Sequence, residues 1–134
     1  METEPRFIII DDNPIDIIIH KFMIKNELKK SPIVAQFNRP ELGINYIERN
    51  YSTTTYNKTI LFIPYEMLLL NGYNFLESFG ELDSKIREQV NIFVLSAQKK
   101  EMESMAANTN IYKFLLKPLS EKNIADIIYD IATR

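Results

Sequence analysis

The sequence predicts an α/β fold, a doubly wound five-stranded parallel sheet. Two observations indicate this fold class, and a third indicates that the chain forms one domain. The apolar residues form short blocks that do not alternate with polar residues, as expected for strands whose two faces are both covered. Segments with helical periodicity lie between these blocks, and an alternation of strands and helices is typical of a parallel sheet. The length of 134 residues corresponds to one domain, because domains commonly hold about 100–200 residues.

Five apolar blocks predict the five strands. Four of them are rich in isoleucine, valine and phenylalanine, and they occupy residues 7–10, 60–63, 92–95 and 114–116. The fifth, at residues 33–37, is less uniform and suits the edge of the sheet. Since crossovers between parallel strands are right-handed, five strands and five helices in alternation predict a flavodoxin-like (βα)5 arrangement.

Two helices are predicted most clearly by their caps and spacing. Asn13 suits an N-cap and Pro14 the first helical position, and a helix face then follows at Ile15, Ile18, Ile19 and Phe22. Ser120 caps the last helix, whose face is Ile124, Ile127, Ile128 and Ile131. Three shorter helices are predicted around Leu42, Tyr46 and Ile47, around Phe75, Leu76 and Phe79, and around Met102, Met105 and Ala106.

Composition excludes several classes of function. The net charge of −2 gives no global attraction to nucleic acid or to an anionic membrane. The chain has no cysteine, which excludes disulfides and thiolate chemistry, and its one histidine is too few for a histidine-rich metal site. The first residues lack the pattern of a signal peptide, and no apolar run reaches the ~18 residues of a membrane helix. We therefore expect a soluble, cytoplasmic protein without nucleic-acid or membrane partners.

Polar side chains follow the predicted strands where a parallel sheet binds its ligands, at the carboxyl ends. Asp11 and Asp12 follow the first strand, Ser96 the fourth and Lys117 the fifth. A pair of carboxylates suits Mg²⁺, and a hydroxyl with an ammonium suits phosphate oxygens. Taken singly, the acidic pair also fits the start of a helix, and Lys117 with Pro118 also fits an ordinary turn.

From residue 6 to about residue 131, the sequence resembles the receiver domain of bacterial two-component response regulators, of the chemotaxis-regulator type. The matching features are Asp11-Asp12, Ser96 and Lys117-Pro118 at the ends of strands one, four and five, and Asn71-Gly72 before the third helix. The resemblance implies that the acidic pair holds Mg²⁺ and that Ser96 and Lys117 contact a phosphoryl group. It also implies that Phe114 reports the state of the site and that the Lys117–Pro118 peptide is cis.

The sequence departs from this family at the position that matters most. Counting back from Asn71-Gly72, the phosphorylated aspartate of the family falls on Pro64, which has neither a nucleophile nor an ionisable group. The usual Met-Pro of the following loop reads Met67-Leu68. We therefore expect a remodelled loop and no aspartyl phosphate.

Several other residues near this loop have two interpretations. Glu66 either replaces the lost carboxylate, as a metal ligand or a phosphate acceptor, or is a solvent-facing loop residue, which we favour. With Asp11, Asp12 and Glu66 as the candidate metal residues, we expect Mg²⁺ binding to be weak or absent and no other cofactor. His20 is expected to be a solvated or ion-paired helix residue rather than a phosphotransfer histidine.

The other residues singled out are two tyrosines and two methionines. Tyr65 and Tyr73 flank the altered loop and are expected to cover the crevice, with contact to a partner as the alternative. Met102 and Met105 are expected in the core.

The favoured hypothesis is a degenerate, stand-alone receiver that is not an enzyme, comprises residues 1–134 as a single domain, and stays in one conformation. It acts by contact with another protein. The resemblance implies that the contact face is the fourth and fifth helices with strand five, around Phe114, and that the partner is a histidine kinase or another regulator. The alternative is an active phosphoacceptor that uses Glu66 or Ser96 with Mg²⁺. A flavin-binding protein is disfavoured because the chain has 3 glycines and no glycine-rich phosphate loop, and direct DNA binding because it has no basic patch.

Overall fold

A parallel five-stranded sheet forms the centre of the structure, a computed structural model that describes residues 5–28, 32–54, 58–105 and 107–133. The strands within these residues are β1 (Arg6–Ile10), β2 (Val34–Phe37), β3 (Thr59–Pro64), β4 (Leu69–Leu70), β5 (Tyr73–Asn74), β6 (Val90–Ser96) and β7 (Ile111–Leu116). The parallel sheet has the order β2-β1-β3-β6-β7, and β4 and β5 form a separate antiparallel hairpin. The predicted fold class is confirmed, with β2 at an edge as expected.

Six α-helices lie within the described residues: α1 (Pro14–Leu28), α2 (Pro40–Asn50), α3 (Phe75–Gly80), α4 (Ser84–Arg87), α5 (Lys99–Ser104) and α6 (Glu121–Ala132). The two predicted caps are present. Asn13 Oδ1 accepts from the backbone N–H of Ile15 at 2.9 Å, and Ser120 forms a reciprocal capping box with Asn123. The short helix α4 and the β4–β5 hairpin are elements that the sequence analysis did not predict.

The sheet is covered on both faces, which explains the unbroken apolar blocks. Along β1, Ile8 and Ile10 belong to a core layer with α2 and α3, whereas Phe7 and Ile9 belong to a layer with α1 and α6. Every residue of β3 is buried. Because successive side chains of a strand point to opposite faces, both sets must be apolar, and no alternating pattern can appear.

The prediction for the buried face of α1 was wrong. The strip at Ile15, Ile18, Ile19 and Phe22 faces solvent, with exposed fractions of 65%, 66%, 43% and 64%. The residues of α1 that are buried against the sheet are Ile17, His20 and Ile24. Both faces of α1 are apolar, so two sets of residues satisfy the helical spacing, and periodicity alone could not distinguish them.

Two smaller expectations also need correction. His20 is buried rather than solvated, with an exposed fraction of 7%, and its ring packs near that of Phe62. Helix α5 ends at Ser104 and has no buried residue. Met105 lies beyond it and packs half-buried against the core, Met102 is also half-buried, and Ala106 lies outside the described residues.

Within the described part of the chain, no helix combines the length and the apolar character needed to cross a membrane.

Candidate functional site

The carboxyl ends of four adjacent strands bring the predicted site residues to one edge of the sheet. Asp11 and Asp12 follow β1, Pro64 ends β3, Ser96 ends β6 and Lys117 follows β7. The peptide N–H of Lys117 donates to the carbonyl oxygen of Ser96 at 2.8 Å, which extends the pairing of the last two strands into the site. The Lys117–Pro118 peptide is cis, as the family resemblance implied.

The two aspartates differ sharply in their surroundings. Asp11 is buried, with an exposed fraction of 3%, whereas Asp12 is exposed. Asp11 Oδ1 accepts from the N–H of Asn13 at 2.9 Å, but the buried Oδ2 has no hydrogen-bond partner among the described residues. Burial raises the pKa of Asp11, and the nearby charges of Asp16 and Asp12 act in the same direction. The Asn13 hydrogen bond and the Lys117 ammonium oppose this rise.

Pro64 occupies the middle of this edge. It is the last residue of β3, is buried, and pairs in register with Leu95 of β6. On the other side, Ile9 pairs with Phe62, and continuing this register by two residues places Asp11 level with Pro64. A short 3-10 turn, Tyr65–Met67, starts directly after it. The central strand of the site therefore ends in a side chain that cannot donate, accept or attack.

Glu66 of that turn forms an ion pair with Lys117. The Oε1 of Glu66 lies 3.5 Å from the Nζ of Lys117, and the two side chains are 61% and 28% exposed. The glutamate is thus solvent-facing, as expected, yet it is also the carboxylate that compensates the charge of the lysine. An ion pair this exposed contributes little to stability, at most about 1 kcal/mol, so its importance lies in where it holds the ammonium.

Ser96 is fully buried, and its hydroxyl group forms hydrogen bonds with other residues of the chain. Its Oγ lies 2.5 Å from Glu101 Oε1 and 2.7 Å from the carbonyl oxygen of Gln98, and it accepts from the N–H of Gln98 at 3.2 Å. Glu101, on the first turn of α5, was not singled out from the sequence. An acid five residues after a strand-end serine, in the first turn of a short helix, is the signal that could have indicated it.

The residues at this edge do not form a complete Mg²⁺ site. The unpartnered Oδ2 of Asp11 suits a cation, but the remaining donors are the exposed Asp12 and the lysine-paired Glu66. No group of three histidine, cysteine, aspartate or glutamate side chains within the described ranges could hold a metal ion. Because Mg²⁺ favours several oxygen ligands in near-octahedral geometry, this donor set fits the ion poorly.

The remaining predicted residues lie on the surface next to this edge. Phe114 is half-buried on the edge strand β7, between the exposed Tyr112 and Leu116. The hydroxyl of Tyr65 lies 3.3 Å from Ser104 Oγ, which links the turn after β3 to α5, and Tyr73 is half-buried in the β4–β5 hairpin. Asn71 and Gly72 form the hairpin turn with positive φ angles of 53° and 81°.

Comparison with solved structures assigns the fold. A response regulator receiver protein from Dyadobacter fermentans is 23% identical and superposes over 93% of this chain and 95% of its own, with a TM-score of 0.78. A two-component response regulator from Cytophaga hutchinsonii is 15% identical, over 98% of this chain and 99% of its own, with a TM-score of 0.77. This chain has the receiver fold. No protein-family model and no curated protein matches the sequence.

A third similar structure extends the same result. The CheY-like response regulator receiver domain protein from Methanospirillum hungatei shares 13% identity over 96% of this chain and 93% of its own, with a TM-score of 0.68. At such low identities the likeness concerns the fold.

Proposed function

We propose that this chain is a receiver-type module of a two-component signalling system that works by protein–protein contact and takes up no phosphoryl group. The observation that carries the proposal is Pro64 at the end of the central strand, level with Asp11. Phosphoryl transfer to a receiver requires a carboxylate nucleophile at this point, and a proline ring supplies none.

The contacts of Lys117 and Ser96 support the same proposal. In the family, these two residues contact the phosphoryl group. Here the lysine is paired with Glu66 and the serine hydroxyl with Glu101 and Gln98. Both groups thus have partners within the chain, which supports a module that keeps one arrangement rather than two that phosphorylation interconverts.

The alternative of an active phosphoacceptor has less support. Ser96 has an exposed fraction of 0%, and its proton is shared with two acceptors, so it does not present a nucleophile to solvent. Glu66 is accessible, but its carboxylate is paired with Lys117. The described residues around it do not provide a complete set of ligands for Mg²⁺. We accordingly expect no catalysis, weak or absent Mg²⁺ binding and no resident cofactor.

We assign the signalling contact to α5, β7 and α6, around Phe114. The edge strand β7 exposes Leu116 to 40% beside the half-buried Phe114, whereas the ring of Tyr112, 37% exposed, packs on Phe93 at the opposite face of the sheet. Exposed aromatic and aliphatic side chains on one strand suit a protein partner better than a small ligand. The family resemblance suggests that the partner is a histidine kinase or another regulator.

NMR spectroscopy tests whether the site responds to a phosphoryl group. Backbone amide spectra of the full chain are recorded with Mg²⁺ alone and with Mg²⁺ and beryllofluoride, a mimic of aspartyl phosphate. We expect the amide signals of Ser96, Phe114 and Lys117 to stay in place. A saturable shift of these signals in the unmodified chain when beryllofluoride is added to the Mg²⁺ sample would overturn the proposal. The variant Pro64→Asp, once shown to fold by the same spectra, is the positive control in which the shift is expected to appear.

A further inference from the structure

The solvent-facing side of α1 carries an unusual strip of large apolar side chains. Its four members are spaced so that they share one helix face, opposite the residues that pack on the sheet, and each is 43–66% exposed: Ile15, Ile18, Ile19 and Phe22. A single exposed isoleucine needs no explanation, but three neighbouring isoleucines followed by a phenylalanine form a patch of the kind found at interfaces. We call these four residues the α1 strip.

A groove runs beside the α1 strip. It has a volume of about 440 Å³ and lies between α1 and the segment that enters β2, with Ile18, Phe22, Pro32 and Val34 among its lining residues. Ile33, in the same segment, is 62% exposed. Lys21 and Lys25 also line the groove, and Lys21 Nζ is held by Gln36 Oε1 at 2.8 Å. An apolar ridge and an apolar groove therefore lie side by side on one surface.

We propose that this surface joins two copies of the chain about a two-fold axis, with the α1 strip of each copy packed against the groove of the other. In a two-fold contact the same patch meets itself, so it must contain both a projecting and a receiving part. The α1 strip and the groove provide these two parts. Packing of a side-chain ridge into a groove is also the ordinary way in which helices associate.

The exposed apolar area of this surface is about equal to the apolar area that each copy buries in a stable homodimer. The α1 strip and Ile33 each expose 43–66% of their surface, on the order of 100 Å² per side chain, or roughly 500 Å² per copy. A standard interface buries about 800 Å² per partner, of which about 65% is apolar in homodimers. The apolar requirement is thus about 500 Å², and the methylene chains of Lys21 and Lys25 extend the contact at its rim.

Sedimentation velocity over a range of protein concentrations tests the proposal. We expect the full chain to form a reversible dimer and Phe22→Lys to weaken the dimer more than about a hundredfold, because the added charge would be buried beside Lys21 and Lys25 of the other copy. Phe22 is 64% exposed, so the variant should keep the circular dichroism of the parent. The matched control is Leu69→Lys, which places the same charge at a leucine 65% exposed on the β4–β5 hairpin and should leave the dimer unchanged.

Cysteine cross-linking locates the contact independently, since the natural chain has no cysteine. Ile18 belongs to the α1 strip and also lines the groove, so a two-fold axis that relates the strip to the groove passes near it and brings the two copies of Ile18 together. We expect Ile18→Cys to form a disulfide-linked dimer under mild oxidation, and Leu69→Cys not to do so. A chain that stays monomeric at all concentrations, or a dimer that Phe22→Lys leaves intact, would overturn the proposal. Neither outcome depends on whether the chain accepts a phosphoryl group.

Discussion

His20 shows how one buried polar residue couples folding to pH. Its ring is enclosed between α1 and the sheet, and its Nδ1 has no hydrogen-bond partner among the described residues. Burial lowers the pKa of His20 below its ordinary 6.5, although the charges of Asp16 and Asp11 oppose the shift. The folded chain therefore binds the proton less readily than the unfolded chain does.

This difference predicts that protonation of His20 destabilises the fold. As the pH falls below about 6.5, the unfolded chain takes up a proton that the folded chain resists, so the free energy of unfolding decreases. His20→Leu should remove this contribution and stabilise the protein by about 1–2 kcal/mol at neutral pH, because it also removes an unsatisfied buried nitrogen. Urea unfolding of both proteins at pH 7.5 and pH 5.5 measures the effect. An equal loss of stability on acidification in both proteins would contradict it.

The pKa of Asp11 shifts in the opposite direction from that of His20, because Asp11 is a buried acid and burial disfavours its charged form. Because burial raises its pKa above 3.8, the folded chain disfavours the carboxylate, and Asp11→Asn should stabilise the protein at neutral pH by about 1 kcal/mol. The gain should shrink as the pH falls through the raised pKa, since the natural residue is then neutral too. Thermal or urea unfolding checks the prediction. Asp12→Asn is the control, because the side chain of Asp12 is exposed and its replacement should change stability by less than about 0.5 kcal/mol.

At the scale of elements, α2 depends on a close approach to β1. A Cβ atom on Gly43 would lie 2.6 Å from Cδ1 of the fully buried Ile10, so Gly43→Ala should force the isoleucine to move within a packed core. Overpacking of this kind costs about 1–3 kcal/mol, which exceeds the roughly 1 kcal/mol that alanine gains over glycine in a helix. We expect a net loss of about 1 kcal/mol in urea unfolding.

A second helical glycine provides the matched control. At Gly80, the last residue of α3, an added Cβ would meet only the side-chain nitrogen of Asn110, at 3.4 Å. Gly80→Ala should therefore be neutral or slightly stabilising. If both substitutions had the same effect, the close packing of α2 on β1 would not be the cause.

The elements were largely predictable, and the exceptions have identifiable causes. The parallel strands were recognisable because strands covered on both faces need unbroken apolar runs. The prediction of the buried face of α1 was wrong because both faces of this helix are apolar. The prediction of a solvated or ion-paired His20 was wrong for the same reason, since His20 lies on the buried face. The β4–β5 hairpin was missed because its strands have two residues each, too few for a periodic pattern.

The site was predictable in its composition but not in its internal contacts. Successive strand ends of a parallel sheet must share one edge, so the grouping of Asp11, Pro64, Ser96 and Lys117 follows from the order of the elements. The pairing of Lys117 with Glu66, 51 residues apart, depends on side-chain positions that no local pattern encodes. The same holds for the contact of Ser96 with Glu101, which depends on where the short helix α5 starts.

At the scale of the whole molecule, the chain has the receiver fold, Pro64 ends the central strand of its sheet, and Ser96 and Lys117 have partners within the chain. Under the proposed function, the molecule transmits a signal by being bound rather than by being modified. Its activity toward a partner should then be the same whether or not a phosphodonor is present. The structure carries two candidate contact surfaces, the region around Phe114 and the α1 strip, which lie on different elements.

The most direct measurement is the intact mass of the chain after incubation with acetyl phosphate and Mg²⁺, under acidic quench conditions that preserve acyl phosphates. We expect an unchanged mass, because Pro64 offers no nucleophile and the hydroxyl of Ser96 and the carboxylate of Glu66 are already engaged. A stoichiometric gain of one phosphoryl group that disappears in Glu66→Ala or Ser96→Ala would contradict it and would establish the chain as an active phosphoacceptor.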